Sequence, residues 1–141
     1  MVIRALESRC EALGVDHSSF PAVALSVAYI AAHRGMEQRK ADLLGDARRT
    51  AACLSAFAKK LARRDPDEAA FHMLLCEAFT QESKNAWKVK DYPAIKKALR
   101  KAVGEARTAL SLDPRNIDTR MSVANLQDKL VGLLSERPSS R

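Results

Sequence analysis

The sequence is poor in the residues that break helices and in those that build sheets. Its 141 residues include only five glycines and five prolines, and aromatic side chains make up 5%. With so few glycines, a phosphate cradle of backbone amides is not expected, and no glycine-rich nucleotide motif or HExxH zinc motif occurs. Alanine, leucine, lysine, arginine and glutamate are abundant instead, and these residues favour helix. The composition therefore predicts an all-α protein that is not an enzyme.

Long apolar runs and paired cysteines are also lacking. The longest apolar stretch, Ala22 to Ala32, is about half of the roughly 20 residues that a membrane span requires. The N-terminus carries charges from Arg4 onward and does not match a signal peptide. Three cysteines make an odd number without a paired spacing, which favours reduced thiols over a disulfide framework. We therefore expect a cytoplasmic chain that does not insert into membranes.

Positive charge is in excess. The formal net charge is +7, although charged residues of both signs make up 29% of the chain. A basic balance favours acidic partners, such as nucleic acid, anionic lipid or an acidic protein surface. Because many ordinary soluble domains are also basic, the charge alone does not choose among these partners.

Two Asp-Pro pairs reveal an internal period. Asp65-Pro66 and Asp113-Pro114 lie 48 residues apart, and the segment 17–19 (His-Ser-Ser) takes the equivalent place one period earlier. Proline disfavours helix in the residue before it and is tolerated in the first turn of a helix. Aspartate and serine are good N-cap residues. Each pair is therefore predicted to end one helix and to begin the next.

Apolar residues recur with the same period and alternate three and four apart, which is typical of the buried stripe of an amphipathic helix. Before the Asp-Pro positions the stripe comprises Ala47, Ala51, Leu54, Ala58 and Leu61, then Ile95, Leu99, Ala102, Ala106 and Ala109, with Ile3, Leu6, Cys10 and Leu13 one period earlier. After those positions the corresponding sets are Leu25, Met73 and Met121; Val27, Leu75 and Val123; Ala28, Cys76 and Ala124; and Ile30, Ala78 and Leu126. The third set is small in every copy, so we expect a close helix approach there.

A second turn is expected near Gly45-Asp46 and again near Tyr92-Pro93. The predicted helices are 1–14, 18–43, 46–64, 66–90, 94–112 and 114–135. An alternative ends the second helix early, at Gly35. We call the helices that follow an Asp-Pro position first-type and the helices that precede one second-type. The organisation expected is a single repeat domain over 1–136 with a disordered tail at 137–141.

The pattern resembles the tetratricopeptide repeat, a helical hairpin that stacks into a solenoid. The resemblance rests on Ala-Leu-Ser-Leu-Asp-Pro-Arg-Asn at 109–116, Leu-Ala-Arg-Arg-Asp-Pro-Asp-Glu at 61–68, and the order Leu75, Cys76, Phe79 in a first-type helix. The family's usual period is about 34 residues, so a period of 48 implies longer helices, similar to repeats attached to large bacterial regulatory proteins. The resemblance implies a short right-handed α-solenoid of about six helices that serves as a protein-binding scaffold.

The resemblance also implies where a ligand would bind. In that family, ligands usually lie in a concave groove lined by first-type helices. Carried over by register, the groove would present Tyr29, Met73, Glu77, Thr80, Met121, Asn125 and Asp128. Methionine and tyrosine suit an adaptable peptide-binding face. The alternative is that a short array buries much of this face itself. Trp87 is expected to anchor the turn at 88–93 rather than to contact a ligand.

Clustered cations on the second-type helices suggest a different site. This basic strip comprises Arg48, Arg49, Lys96, Lys97, Arg100 and Lys101. It would suit phosphates or a carboxylate-rich peptide, and the alternative is an ordinary solvated helix face. Because no aromatic residues alternate with these charges, base stacking on the strip is not expected. Nucleic acid is therefore kept as a second choice behind a protein or peptide partner, and the oligomeric state is left open.

One pair of side chains has chemical potential. His72 and Cys76 are four apart and share a helix face, as a nucleophile with its base or two metal ligands would. However, Cys76 occupies the small packing position, and no third or fourth ligand accompanies the pair. No catalytic residue, metal site or cofactor is therefore predicted.

Overall fold

A computed structural model describes residues 20–135, which form five helices. They are α1 (Phe20–Lys40), α2 (Leu44–Arg64), α3 (Ala69–Lys88), α4 (Tyr92–Leu112) and α5 (Ile117–Ser135). The all-α class is thereby confirmed for this part of the chain, in which no helix has the length and apolar character needed to cross a membrane. The predicted helix at 1–14, the capping segment 17–19 and the predicted tail at 137–141 lie outside the described residues.

The helix boundaries repeat with the period seen in the sequence. The second-type helices α2 and α4 begin at Leu44 and Tyr92 and end at Arg64 and Leu112, so one full period separates them at both ends. The first-type helices α3 and α5 begin one period apart as well. The predicted starts were wrong by a few residues, since α2 and α4 begin two residues earlier than expected and α3 and α5 three residues later. Gly35 does not end a helix, because it lies inside α1.

The Asp-Pro pairs end helices but do not begin them. The backbone N–H groups of Asp65 and Asp113 each donate to the carbonyl four residues earlier at 3.0 Å, closing α2 and α4. The prolines then lie in turns, and the next helix starts three residues after each proline. The prediction that aspartate caps the following helix was therefore wrong. In the second copy that role falls to Asn116, whose Oδ1 accepts from the Thr119 N–H at 3.1 Å.

The turns between first-type and second-type helices are alike in both copies. Asp42 and Lys90, which occupy the same place in successive periods, both have left-handed backbone with φ of 58° and 56°. In each turn the next N–H donates to a carbonyl five residues back, at 2.8 Å after α1 and 3.0 Å after α3. This hydrogen bond is typical of a Schellman motif, in which the left-handed position is usually a glycine. The Asp91 carboxylate then caps α4 by accepting from the Ala94 N–H at 3.2 Å.

The core follows the predicted stripes on the second-type helices. All ten stripe residues of α2 and α4 are buried, as predicted. The first-type stripes are less complete. Val27, Leu75 and Val123 are buried, but Leu25, Ile30 and Met121 are exposed, and so is Ala124 of the small set. These exposed residues lie on α1 and α5, the outer helices of the described range, where no further described helix covers that face.

Helices that are neighbours in the chain pack against each other, and α1 also packs on α3. Three- and four-residue turns force such neighbours to run antiparallel. Direct packing between α3 and α5 is much sparser than between α1 and α3. This difference between two otherwise equivalent helix pairs leaves room for the candidate site.

Candidate functional site

A cavity of about 600 Å³ opens at the C-terminal ends of the first-type helices. It is bounded by α1, α3 and α5, and α4 supplies its floor. We call it the basic cavity. Its lining consists of Met36, Arg39, Lys40, Ser83, Lys84, Trp87, Lys88, Ile95, Leu99, Lys129, Gly132 and Leu133. Its volume lies in the range typical of ligand sites, and it combines an apolar floor with a polar rim as such sites do.

One wall of the basic cavity is a buried polar network between α1 and α3. Arg39, whose guanidinium is the centre of this network, is only 8% exposed as a residue. Its Nη1 donates to Gln81 Oε1 and to Asn85 Oδ1, both at 2.9 Å. Burial lowers the pKa of Arg39, and the nearby Glu77 carboxylate opposes that shift. We call these three residues the Arg39 network, and it joins the C-terminal end of α1 to the C-terminal half of α3.

Gly35 is what allows this close approach. A Cβ at that position would lie 2.6 Å from Gln81 Oε1 and 3.2 Å from Arg39 Nη1. Gln81 is itself 1% exposed, and its Nε2 donates to Glu77 Oε1 at 2.7 Å. The amide is therefore held at both ends and has no room to turn away. A glycine that looked like a helix breaker in the sequence is a packing residue.

One period later the same positions enclose the basic cavity instead of a network. The residues equivalent to Arg39, Gln81 and Asn85 are Trp87, Lys129 and Leu133, and all three line the cavity. None of them reproduces the hydrogen bonds of the Arg39 network. The place of Gly35 is taken by Ser83, which also lines the cavity. The space that side chains fill between α1 and α3 is thus left open between α3 and α5.

Glu77 lies where these two regions meet. Burial raises the pKa of its carboxyl, while the Gln81 hydrogen bond and the charges of Lys84, Arg39 and Lys129 oppose the shift. Burial also lowers the pKa of Lys84, and the like charges of Lys129 and Arg39 act in the same direction. Cations from three helices therefore share the field of a single half-buried carboxylate.

The groove predicted from register lies next to the basic cavity but does not coincide with it. None of Tyr29, Met73, Glu77, Thr80, Met121, Asn125 and Asp128 is among its lining residues in the described part of the chain. Tyr29, Met121, Asn125 and Asp128 are exposed, whereas Met73, Glu77 and Thr80 are half-buried. The Thr80 hydroxyl donates to the Cys76 carbonyl at 2.8 Å. Of this set, Glu77 interacts electrostatically with cations that line the cavity, namely Lys84, Arg39 and Lys129.

The cavity continues the predicted stripes by one helical turn. Four residues beyond Thr80 is Lys84, and four beyond Asp128 is Gly132, and both line the cavity. The same stripe leads along α1 to Met36. Extending the predicted stripe by one turn was therefore the sequence signal that could have located the cavity. It was not extended, because a lysine and a glycine do not suggest a peptide-binding face. Trp87 does meet Tyr92 edge to face, with 5.9 Å between ring centroids, yet it is half-exposed and lines the cavity as well.

No protein-family model, curated protein or solved structure matches this chain.

The basic strip is divided among different surroundings. Arg48, Arg49, Lys97, Arg100 and Lys101 are exposed, and Lys96 is half-buried. The Arg49 guanidinium pairs with Asp46, and Lys101 Nζ lies 5.5 Å from the centroid of the Phe79 ring. Arg48 borders a smaller cavity of about 310 Å³ that Glu82 and Asp91 also line. Among the strip residues, the charge of Arg49 is thus balanced by an ion pair.

His72 contacts groups other than Cys76, and Cys76 is a buried packing residue. His72 Nε2 lies 2.7 Å from the Pro66 carbonyl oxygen, and Nδ1 lies 3.5 Å from Glu105 Oε2. Cys76 is buried, and burial raises the pKa of its thiol to about 12. A thiol that stays protonated at neutral pH is a poor nucleophile and a poor metal ligand. Within residues 20–135, no three or more His, Cys, Asp or Glu side chains are grouped as a metal site would need.

Proposed function

We propose that the chain is a non-enzymatic interaction module that binds a peptide segment of a partner protein in the basic cavity. The observation that carries the proposal is the cavity itself. It opens between helices whose other contacts are well packed, and it has an apolar floor of Ile95, Leu99 and Leu133. Peptides commonly bind helical proteins by placing apolar anchors in such grooves.

We further propose that the helices stack as a short tetratricopeptide-like solenoid with long helices. Two facts support this. Helix boundaries and left-handed turn residues recur after one period, and α1 packs on α3, as first-type helices would in a stack. Repeats of this kind stabilise one another by burying faces that a single hairpin leaves open. The odd number of cysteines, with Cys76 buried as a free thiol, suits a cytoplasmic module.

Blocking the cavity tests the proposal. Gly132 lines the basic cavity, and a Cβ there would meet nothing within 4 Å, so Gly132→Phe should fill the cavity without disturbing the helix. Gly104 on α4 has equally open surroundings and does not line the cavity, so Gly104→Phe is the matched control. A display library of short random peptides would be selected on the wild-type chain. Binding of the enriched peptides would be followed by the fluorescence of Trp87, the single tryptophan.

We expect enriched peptides to change the Trp87 fluorescence of the wild type and of Gly104→Phe, and to lose binding to Gly132→Phe. Equal binding to all three chains would remove the basic cavity as the site. The pair Met73→Ala with Asn125→Ala then tests the adjacent groove. Loss of binding in that pair alone would move the site to the exposed stripe predicted from the sequence.

A second candidate function is polyanion binding on the basic strip. The observation that favours it is the exposure of Lys97 and Arg100 on α4, together with the net charge of +7. Binding through phosphates weakens steeply with salt. Mobility shifts with nucleic acid at low salt, lost in Lys97→Glu with Arg100→Glu, would support it. An absence of any complex at low salt would exclude it.

A further inference from the structure

The lining of the basic cavity has charge of one sign only. Five of its twelve lining residues are cations, namely Arg39, Lys40, Lys84, Lys88 and Lys129. No carboxylate is among the lining residues that the structure describes. This imbalance is greater than that of the chain as a whole, where acidic residues accompany most basic ones. An occupant with negative charge would therefore be favoured over a neutral or basic one.

Only part of this positive charge is compensated within the protein. Lys88 Nζ lies 3.5 Å from Asp42 Oδ1, and Arg39 is hydrogen-bonded to two uncharged amides. Across residues 20–135, no ion pair joins Lys84 or Lys129 to a carboxylate. Desolvation lowers the pKa of Lys84, the Glu77 carboxylate opposes that shift, and the like charges of Lys129 and Arg39 add to it. An incoming carboxylate would relieve that repulsion, so Lys84 and Lys129 gain the most from an anionic ligand.

The apolar side chains of the cavity favour an occupant that brings apolar groups as well as negative charge. Ile95, Leu99 and Leu133 beneath the cavity are already buried, so the apolar side chains still open to solvent in the lining are Met36 and Trp87, which are 39% and 52% exposed. Apolar surface of this kind is stabilised when another apolar group covers it. A nucleic-acid backbone carries phosphates but brings no apolar side chain to such a floor. A peptide that alternates large apolar and acidic residues supplies both features.

We infer that the basic cavity recognises an acidic amphipathic peptide, with a large apolar side chain against Met36 and Trp87 above the Ile95–Leu99–Leu133 floor and carboxylates at Lys84 and Lys129. The inference rests on the proposed function and names the chemistry of its partner. Because the cations lie on three different helices, several carboxylates along one peptide would be engaged together. A single carboxylate would leave most of the rim unpaired.

The composition of selected peptides tests this inference separately from the proposed function. The random library would be selected in parallel on the wild type and on Gly132→Phe, and the clones that only the wild type enriches would be sequenced. Enrichment of Asp and Glu around a Leu, Ile or Phe supports the inference. Clones that depend on Gly132 but are neutral or basic would overturn it while leaving the proposed function intact. A selection that yields no clones dependent on Gly132 would contradict both the proposed function and this inference.

A charge-removal pair makes the test quantitative. For one enriched acidic peptide, Lys84→Gln with Lys129→Gln should weaken binding by about tenfold or more, since each charge-assisted contact contributes on the order of half a decade to two decades. Lys59→Gln with Arg63→Gln removes the same charge from the exposed face of α2 and serves as the control. An equal loss in both pairs would mean attraction to net charge alone and would overturn the inference.

Discussion

The two junctions between first-type helices occupy the same place in the repeat but are built differently. Between α1 and α3, Arg39, Gln81 and Asn85 form a buried hydrogen-bonded network, and Gly35 lets the helices approach. Between α3 and α5, the equivalent residues line an open cavity. A repeat thus keeps its helix boundaries while a few substitutions convert a structural contact into a candidate binding site. If this comparison is right, equivalent substitutions at the two junctions must have unequal effects on stability.

The largest difference is expected for Arg39→Ala against Trp87→Ala. Removing Arg39 leaves two buried amide oxygens without a donor, and each such loss costs about 1–3 kcal/mol, so we expect a loss of about 2–6 kcal/mol. Removing the half-exposed Trp87 loses mainly its edge-to-face contact with Tyr92, which is worth about 1 kcal/mol. Urea unfolding of both variants measures the difference. Equal losses would mean that the two junctions are energetically alike.

The next effect differs in sign between the junctions. Alanine is favoured over glycine inside a helix by about 1 kcal/mol. Gly132→Ala should gain most of this amount, because its Cβ meets open space. Gly35→Ala should instead lose roughly 1–2 kcal/mol, because its Cβ would displace a buried Gln81 amide that is held at both ends. A gain in both variants would show that Gln81 moves freely and that the α1–α3 junction is not tightly fixed.

The smallest effect concerns pH and Glu77→Gln. Because burial raises the pKa of the Glu77 carboxyl, the folded chain holds this proton more tightly than the unfolded chain does. Glu77 therefore lowers the free energy of unfolding progressively as pH rises above its ordinary pKa of 4.5. Glutamine still accepts a hydrogen bond but does not ionise. Its advantage over the wild type should accordingly be larger at neutral pH than below 4.5. An advantage that stays constant with pH, or that shrinks toward neutrality, contradicts the raised pKa.

Local sequence signals predicted the helices well because their causes lie within a few residues. The alternating apolar stripe identified all ten buried stripe residues of α2 and α4. The Asp-Pro pairs marked where α2 and α4 end, but the turn after them depends on backbone hydrogen bonds that proline does not specify. That is why the starts of α3 and α5 were placed three residues too early.

The candidate site was harder to predict because its contacts join distant parts of the chain. Arg39 bonds to residues 42 and 46 positions away, and nothing in the local pattern links them. The register of the first-type helices located the face of α3 and α5 that adjoins the basic cavity, yet it stopped one turn short of Lys84 and Gly132. Whether space between two helices is filled or open depends on side chains from both, and a periodic stripe on one helix does not contain that information.

Backbone amide NMR shifts during titration with an enriched acidic peptide test the central claim most directly. The claim is that the open α3–α5 junction, rather than the exposed stripe or the basic strip, is where a partner binds. It predicts the largest backbone shifts at Lys84, Trp87, Lys129 and Gly132, and a shift of the single side-chain indole N–H, that of Trp87, in the same spectra. Shifts concentrated at Tyr29 and Met121, or at Lys97 and Arg100, would contradict it.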